Sequence, residues 1–206
     1  EICLSDWSSD VCSSDLSNAC LGLMKSINLL PDIDLVARCI KLNRLPIEVE
    51  QEISLLEKKD VSGAEAVIQF TTPENLVYDS RAGKNYAYSF IETDSIVNSG
   101  WIERYSLMDE LLVPNEFTKN TFLRSGFKKP ISVVPCGIDI SKFRKSYKKY
   151  EPIEKAKNGD FLFYTVADFN PRKNIECLIT AFHNEFSYNE PVNLCLKISK
   201  VQSSNY

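Results

Sequence analysis

The chain has 206 residues, 24 basic against 28 acidic side chains for a formal net charge of −4, and 44% apolar residues. That balance is ordinary for a globular protein. Basic residues are dispersed among acidic ones, which gives no support to a nucleic-acid footprint, and no apolar run approaches the roughly 18 residues of a membrane span.

In chain order, the first sixteen residues are expected to stand outside the fold. Trp7–Leu16 reads, codon by codon, like the translation of a sequencing adapter, and Glu1, Ile2, Ser5 and Asp6 fit the same source. Residues 1–16 are therefore expected to be an adapter-derived artefact and disordered. Setting them aside removes Glu1, Asp6, Asp10 and Asp15 and leaves 24 basic against 24 acidic residues. Cys3 and Cys12 leave as well. The remaining Cys20, Cys39, Cys136, Cys177 and Cys195 are odd in number and contain no Cys-x-x-Cys pair, and the whole chain has one His. Buried free thiols in a reducing compartment such as the cytoplasm account for this pattern better than zinc or disulfides.

Leu21, Met24 and Ile27 recur at helical spacing, so Leu21–Ile27 reads as helix. A strand follows at Asp34–Leu42, then a helix over Ile47–Lys58 with Ile47, Ile53, Leu55 and Leu56 facing inward. Ala64–Phe70 is a short strand ending in Thr71-Thr72-Pro73. Tyr86–Phe90, Asp109–Val113 and Ile131–Val134 read as further strands. Between the last two, Asn115 suits a helix N-cap and Gly126 a stop, with Phe117, Thr121, Phe122 and Leu123 in apolar contact. Short apolar strands alternating with helices predict a parallel α/β sheet in residues 17–143.

From Ser141 to Asp160 the character changes to six lysines with few large aliphatics. Residues 144–160 are expected to be a linker, with an exposed helix or loop inside one domain as the alternative. Residues 161–206 then open a second β-α-β unit: a strand at 161–166, a helix to about Phe186, and a strand at Val192–Ile198. In that unit Asn170 suits a helix cap and Pro171 its first position. Arg172 and Lys173 would then sit in the first helical turn, where cations oppose the helix dipole unless an anion is present. A phosphate partner and two merely solvated surface cations both fit that placement.

The motifs Val-Val-Pro-Cys-Gly-Ile-Asp (133–139) with Lys142-Phe143, Asp-Phe-Asn-Pro-Arg-Lys-Asn (168–174) and Leu-Ile-Thr-Ala-Phe (178–182) occur in that order. Together they resemble the family-4 type of nucleotide-sugar glycosyltransferases. Glu92-Thr93, Trp101 and Leu-Val-Pro-Asn-Glu-Phe-Thr-Lys (112–119) extend the resemblance over roughly residues 64–198. It implies a GT-B fold of two Rossmann-like domains, here an incomplete N-terminal acceptor-side domain and the start of a C-terminal nucleotide-sugar-binding domain.

The resemblance further implies that Arg172 and Lys173 hold the donor diphosphate. Many members place the Arg earlier, at the position of Asp168, so the match is firmer for Lys173. Gly137 and Asp139 match the hinge and cleft, where Cys136 replaces a common His and reads as a packed hinge residue. Glu92 and Thr93 are the catalytic candidates lining the acceptor cleft, with a capped turn as the alternative. Trp101 reads as packing rather than sugar contact, and His183 as a surface residue. Ser17, Asn18 and Gly22 match the exit of a Gly-rich loop. A Glu–seven residues–Glu pair of the family would lie beyond Tyr206, so the chain as written is expected to be an inactive fragment.

Retaining members need no enzymic base, because the leaving phosphate takes the acceptor's proton. The implied function is therefore retaining transfer of a sugar from a nucleotide-diphosphate donor to a glycan, lipid-linked or protein acceptor. No cofactor or metal is implied, and contact with a membrane surface is compatible with lipid-linked acceptors. A non-catalytic α/β binding module derived from such a domain is the alternative.

Overall fold

Short apolar runs separated by amphipathic stretches pair side by side in this chain. The computed structural model describes residues 2–5, 15–38, 51–60, 63–138, 140–144, 146, 159–167 and 169–198. The chain divides into two units, Glu1–Phe143 and Arg144–Tyr206.

In the first unit, β1 (Ile2–Ser5), β2 (Leu35–Arg38), β3 (Ala66–Gln69), β4 (Lys84–Tyr88), β5 (Glu110–Val113) and β6 (Ile131–Val133) form a six-stranded sheet ordered β2-β1-β3-β4-β5-β6. Every pairing in it is parallel. The helices are α1 (Asp15–Asn28), α2 (Gln51–Glu57), α3 (Trp101–Tyr105) and α4 (Glu116–Arg124). This is a Rossmann-like α/β arrangement. Strand order reverses between β1 and β3, the kind of place where such sheets open a crevice beyond their carboxyl ends.

Ile2–Ser5 corrects the expectation that residues 1–16 are disordered. The strand sits between β2 and β3, with Cys3 opposite Val36 on one side and Val67 on the other. Ile2-Cys3-Leu4 is a short apolar run, the composition a central parallel strand requires. Asp15 and Leu16 likewise open α1.

Two apolar clusters follow the strand alternation. Tyr88 of β4 packs with Cys20 and Met24 of α1, Ile53 and Leu56 of α2, and Phe70. Its neighbour Ala87 instead joins Leu111, Val113, Tyr105, Phe122 and Phe127. Successive residues of a strand point to opposite faces, so the sheet is covered on both sides. Leu55, Phe117 and Leu123 are exposed, against expectation. In α2 the inward stripe narrows to Ile53 and Leu56, and in α4 to Thr118, Thr121 and Phe122. Ile47 lies outside the described residues.

Both ends of α4 carry the expected caps. The Asn115 side chain accepts from the Thr118 amide at 2.9 Å. At the other end Gly126 has φ 95°, the Phe127 amide donates to the Phe122 carbonyl at 3.0 Å, and the Gly126 amide donates to the Leu123 carbonyl at 3.1 Å. These are the two bonds of a Schellman stop, and the Phe122 and Phe127 rings meet edge-on at 5.6 Å. α2 ends differently. Arg38 donates to the Glu57 carbonyl at 2.8 Å and also reaches the Lys59 carbonyl, so one guanidinium satisfies two backbone acceptors there.

A single turn, α5 (Ser141–Arg144), falls at the division between the units in sequence, and most of the expected 144–160 linker lies outside the described residues. In the second unit β7 (Phe161–Ala167) pairs in parallel with β8 (Val192–Ile198), joined by α6 (Ile175–Glu185). Phe163 meets Phe182 of α6 at 6.0 Å and Phe186, just past its end, at 5.5 Å. Tyr164 and Val166, on the alternate face of β7, are exposed. Among the described residues no helix is long and apolar enough to cross a membrane.

Candidate functional site

A cavity of about 310 Å³ opens beyond the carboxyl ends of β3 and β4 in the first unit. Thr71, Thr72, Pro73 and Glu74, which follow β3, form one part of its lining. Tyr88 and Phe90, at the end of β4, and Trp101 and Tyr105 of α3 form the aromatic part. The site is built where parallel strands end because the backbone there turns away from the ladder and frees side chains for a ligand.

The segment after β3 is fastened by a buried amide side chain. Asn85, fully buried in β4, accepts from the Asp79 amide at 2.8 Å and donates to the Asp79 carbonyl at 3.0 Å. Its own backbone exchanges hydrogen bonds with Asp109, amide to Oδ2 at 2.7 Å and carbonyl from the Asp109 amide at 2.7 Å. Arg81 binds the Asp79 carboxylate through its guanidinium and its backbone amide and holds that carboxyl down at about 2.

Within the cavity, Trp101 Nε1 donates to Glu74 Oε1 at 3.0 Å. A hydrogen bond from its own backbone amide, above all, keeps the Glu74 carboxyl below the ordinary glutamate range; the Thr72 hydroxyl, the Trp101 indole and the Arg104 charge add to it, while burial opposes. The carboxylate therefore stays ionised through the neutral range. Tyr105 is buried, accepts from Ser89 Oγ at 2.7 Å, and burial pushes its phenol up to about 12. Thr71 is 6% exposed, and its hydroxyl is a buried side-chain oxygen without a hydrogen-bond partner among the described residues. Native structures leave few such groups unpaired, and those that remain mark strain, a functional role, or a place for an ordered water or a ligand.

A second cavity of about 210 Å³ lies beside the first and shares Tyr88. Gly22, Leu23 and Ser26 of α1, Phe70, and Pro135, Cys136 and Gly137 beyond β6 help to line it. The Tyr88 hydroxyl is 3.3 Å from Cys136 Sγ and donates to the Val134 carbonyl. Burial, followed by the Cys136 contact, raises the Tyr88 phenol well above its usual range.

The residues singled out in the sequence separate into three groups. Gly137 lines the second cavity, beside the exposed Cys136; Asp139 lies outside the described residues. Glu92 and Thr93 are exposed on the loop between β4 and α3 and line neither cavity. The Thr93 hydroxyl donates to the Ser95 carbonyl at 3.3 Å, so it closes a local turn.

Arg172 and Lys173 are exposed in the second unit, but they do not begin the α-helix as expected. They belong to a separate 3₁₀ turn, Pro171–Lys173, whose cap is Asn170: its Oδ1 accepts from the Lys173 amide at 3.0 Å. Asn174 then adopts φ 50° and ψ 45°, breaking the path before α6 starts at Ile175. Asparagine tolerates that left-handed geometry better than most residues, which is why the turn closes here. His183 is exposed near the end of α6, as its sequence position implies.

Trp101 faces a cavity rather than serving only as packing. Glu74, Tyr88, Phe90 and Tyr105 were not legible as site residues. Thr71 and Thr72 were visible only as the end of a strand. The available signal was the density of aromatics at Tyr86–Phe90, just where a parallel strand ends. No protein-family model, no curated protein and no solved structure matches this chain.

Proposed function

We propose that this chain is part of a retaining, GT-B-type glycosyltransferase, an enzyme that moves a sugar from a nucleotide-diphosphate donor to an acceptor. One observation carries the reading. Arg172 and Lys173 stand exposed on a tight turn just past the carboxyl end of β7, immediately before the amino end of an eleven-residue helix. Helix starts leave backbone amides without intrahelical partners and carry partial positive charge, so two cations and those donors suit a diphosphate. The Rossmann-like sheet of the first unit, with its cavities at the strand ends, supports an acceptor side in the same scheme.

In this reading Arg172 and Lys173 offset the charge that builds on the leaving diphosphate, which is electrostatic catalysis. The leaving phosphate itself takes the acceptor proton, so no side-chain base is required. Calorimetric titration of the chain with UDP, GDP and ADP, each against its nucleoside, tests the assignment. Arg172→Ala and Lys173→Ala should each weaken diphosphate binding about tenfold or more and leave nucleoside binding unchanged. Equal affinities in wild type and both variants would remove the diphosphate site and the transfer reading with it.

A second reading is a binding module without catalysis. It is favoured by one feature: the described lining of the larger cavity comes wholly from the first unit.

A further inference from the structure

The cavity beyond β3 and β4 restricts its occupant by three independent properties. Its walls present aromatic surface from Tyr88, Phe90 and Trp101. Glu74 is the ionisable group at its edge that carries charge at neutral pH, and no Lys or Arg is among its described lining residues. Thr71 brings a buried hydroxyl that has no partner among the described residues.

Each property removes a class of ligand. An anion would meet the Glu74 carboxylate with no cation in the lining to compensate. A hydrocarbon would leave the Thr71 hydroxyl unpaired and strip water from Glu74, both unfavourable. A quaternary ammonium ion suits the aromatic walls and the carboxylate, but it has no hydrogen bond to give or take at Thr71. A neutral pyranose satisfies all three: its C–H face lies on aromatic rings while its hydroxyls donate to Glu74 and exchange a bond with Thr71. At about 310 Å³ the cavity stands at the small end of ligand sites, room for one ring rather than a chain.

We propose that this cavity binds one neutral sugar ring, the terminal residue of the acceptor. The word acceptor rests on the glycosyl-transfer reading; the sugar specificity does not. The donor's own sugar is disfavoured here because its attached diphosphate would lie against Glu74.

The test uses the chain with methyl glycosides of glucose, galactose, mannose and N-acetylglucosamine, read by saturation-transfer NMR and by tryptophan fluorescence, with tetramethylammonium as the competing cation. At least one glycoside should show transfer to its ring protons, and tetramethylammonium should not displace it. Trp101→Phe and Glu74→Gln should each weaken binding about three- to tenfold, the loss of one hydrogen bond. Thr71→Val gives the sharpest contrast. It should weaken glycoside binding by a similar about three- to tenfold while leaving the unfolding midpoint unchanged or higher, because it removes an unpaired buried hydroxyl.

A residue with a purely structural role would lower the midpoint and spare binding. No transfer to any of the four glycosides, displacement by tetramethylammonium, or equal binding in Thr71→Val and wild type overturns the proposal. If glycosides fail while UDP still binds through Arg172 and Lys173, only this inference falls. If glycosides bind and no nucleotide diphosphate does, the sugar site stands and the transfer reading falls.

Discussion

The side-chain amide of Gln69 and the backbone of Val77 exchange two hydrogen bonds, Nε2 to the Val77 carbonyl at 2.6 Å and the Val77 amide to Oε1 at 3.1 Å. Gln69 is the last residue of β3 and is 3% exposed. Its amide stands in for a peptide group, so the segment from Thr71 to Leu76 leaves the sheet and returns to a fixed point. Asn85 repeats the device two residues on, at Asp79. Thr71 and the short 3₁₀ turn Pro73–Asn75 that carries Glu74 are therefore held in a segment pinned at its far end by side-chain amides.

Gln69→Leu should break that fastening. Removing the amide leaves the Val77 groups to water and the loop to wander, at a cost of about 1–3 kcal/mol. Urea unfolding should show the loss, and hydrogen exchange at the Val77 amide should accelerate well beyond the global change. Unaltered protection at Val77 would mean the loop is held by its packing, with Leu76 in the core sufficient alone.

Gly83 is required by proximity rather than by dihedral freedom. A Cβ there would stand 2.7 Å from the Glu65 carbonyl oxygen, a backbone atom that also accepts from the Lys84 amide at 2.9 Å. Neither side can yield without opening the start of the β3–β4 pairing. Gly83→Ala should destabilise the fold by about 1–3 kcal/mol, the usual range for overpacking. A thermal midpoint equal to wild type would contradict this close approach.

Gly126→Ala tests the other use of glycine. Here the added Cβ meets no atom within 4 Å, and the difficulty is φ 95° alone. A left-handed conformation costs a non-glycine residue about 1–2 kcal/mol. Gly126→Asn should cost less, since asparagine adopts that region more readily. An alanine variant as stable as the asparagine one would show that the Phe122–Phe127 contact, not the backbone, sets the end of α4.

The strands and the α4 caps were legible because each is a local pattern: period-two apolar runs, an Asn before a helix, a Gly after it. The register that puts Ala87 and Tyr88 on opposite faces follows from the same period. Other features depend on contacts distant in sequence. The cavity assembles Thr71 and Tyr88 from two strand ends and Trp101 from the start of α3, and no spacing announces that meeting. Arg172 and Lys173 were legible as a turn beyond a strand, but the break at Asn174 was not. It depends on a single residue choosing the left-handed region, an option that propensity reads only as weak helix formation. Ile2–Ser5 was not legible as a strand for a different reason: its apolar run is very short, and its partners β2 and β3 lie far along the chain.

Tyr105 supplies a pH dependence with a definite sign. Burial raises its phenol from 10.0 to about 12 in the folded chain, so the neutral form is the one the fold favours. The stability this brings is fully present below pH 10 and is lost as pH rises through 12. A displacement of that size corresponds to roughly 3 kcal/mol at most. Tyr105→Phe has no phenol to ionise, but it leaves the buried Ser89 hydroxyl without its acceptor, at about 1–3 kcal/mol. The variant should therefore be less stable than wild type at pH 7, and the difference should shrink or reverse above pH 11. Urea midpoints for both proteins at several pH values from 7 to 12 provide the measurement. Parallel curves would mean that ionised Tyr105 finds water inside the fold, and that the cavity beside it is wetter than its aromatic walls imply.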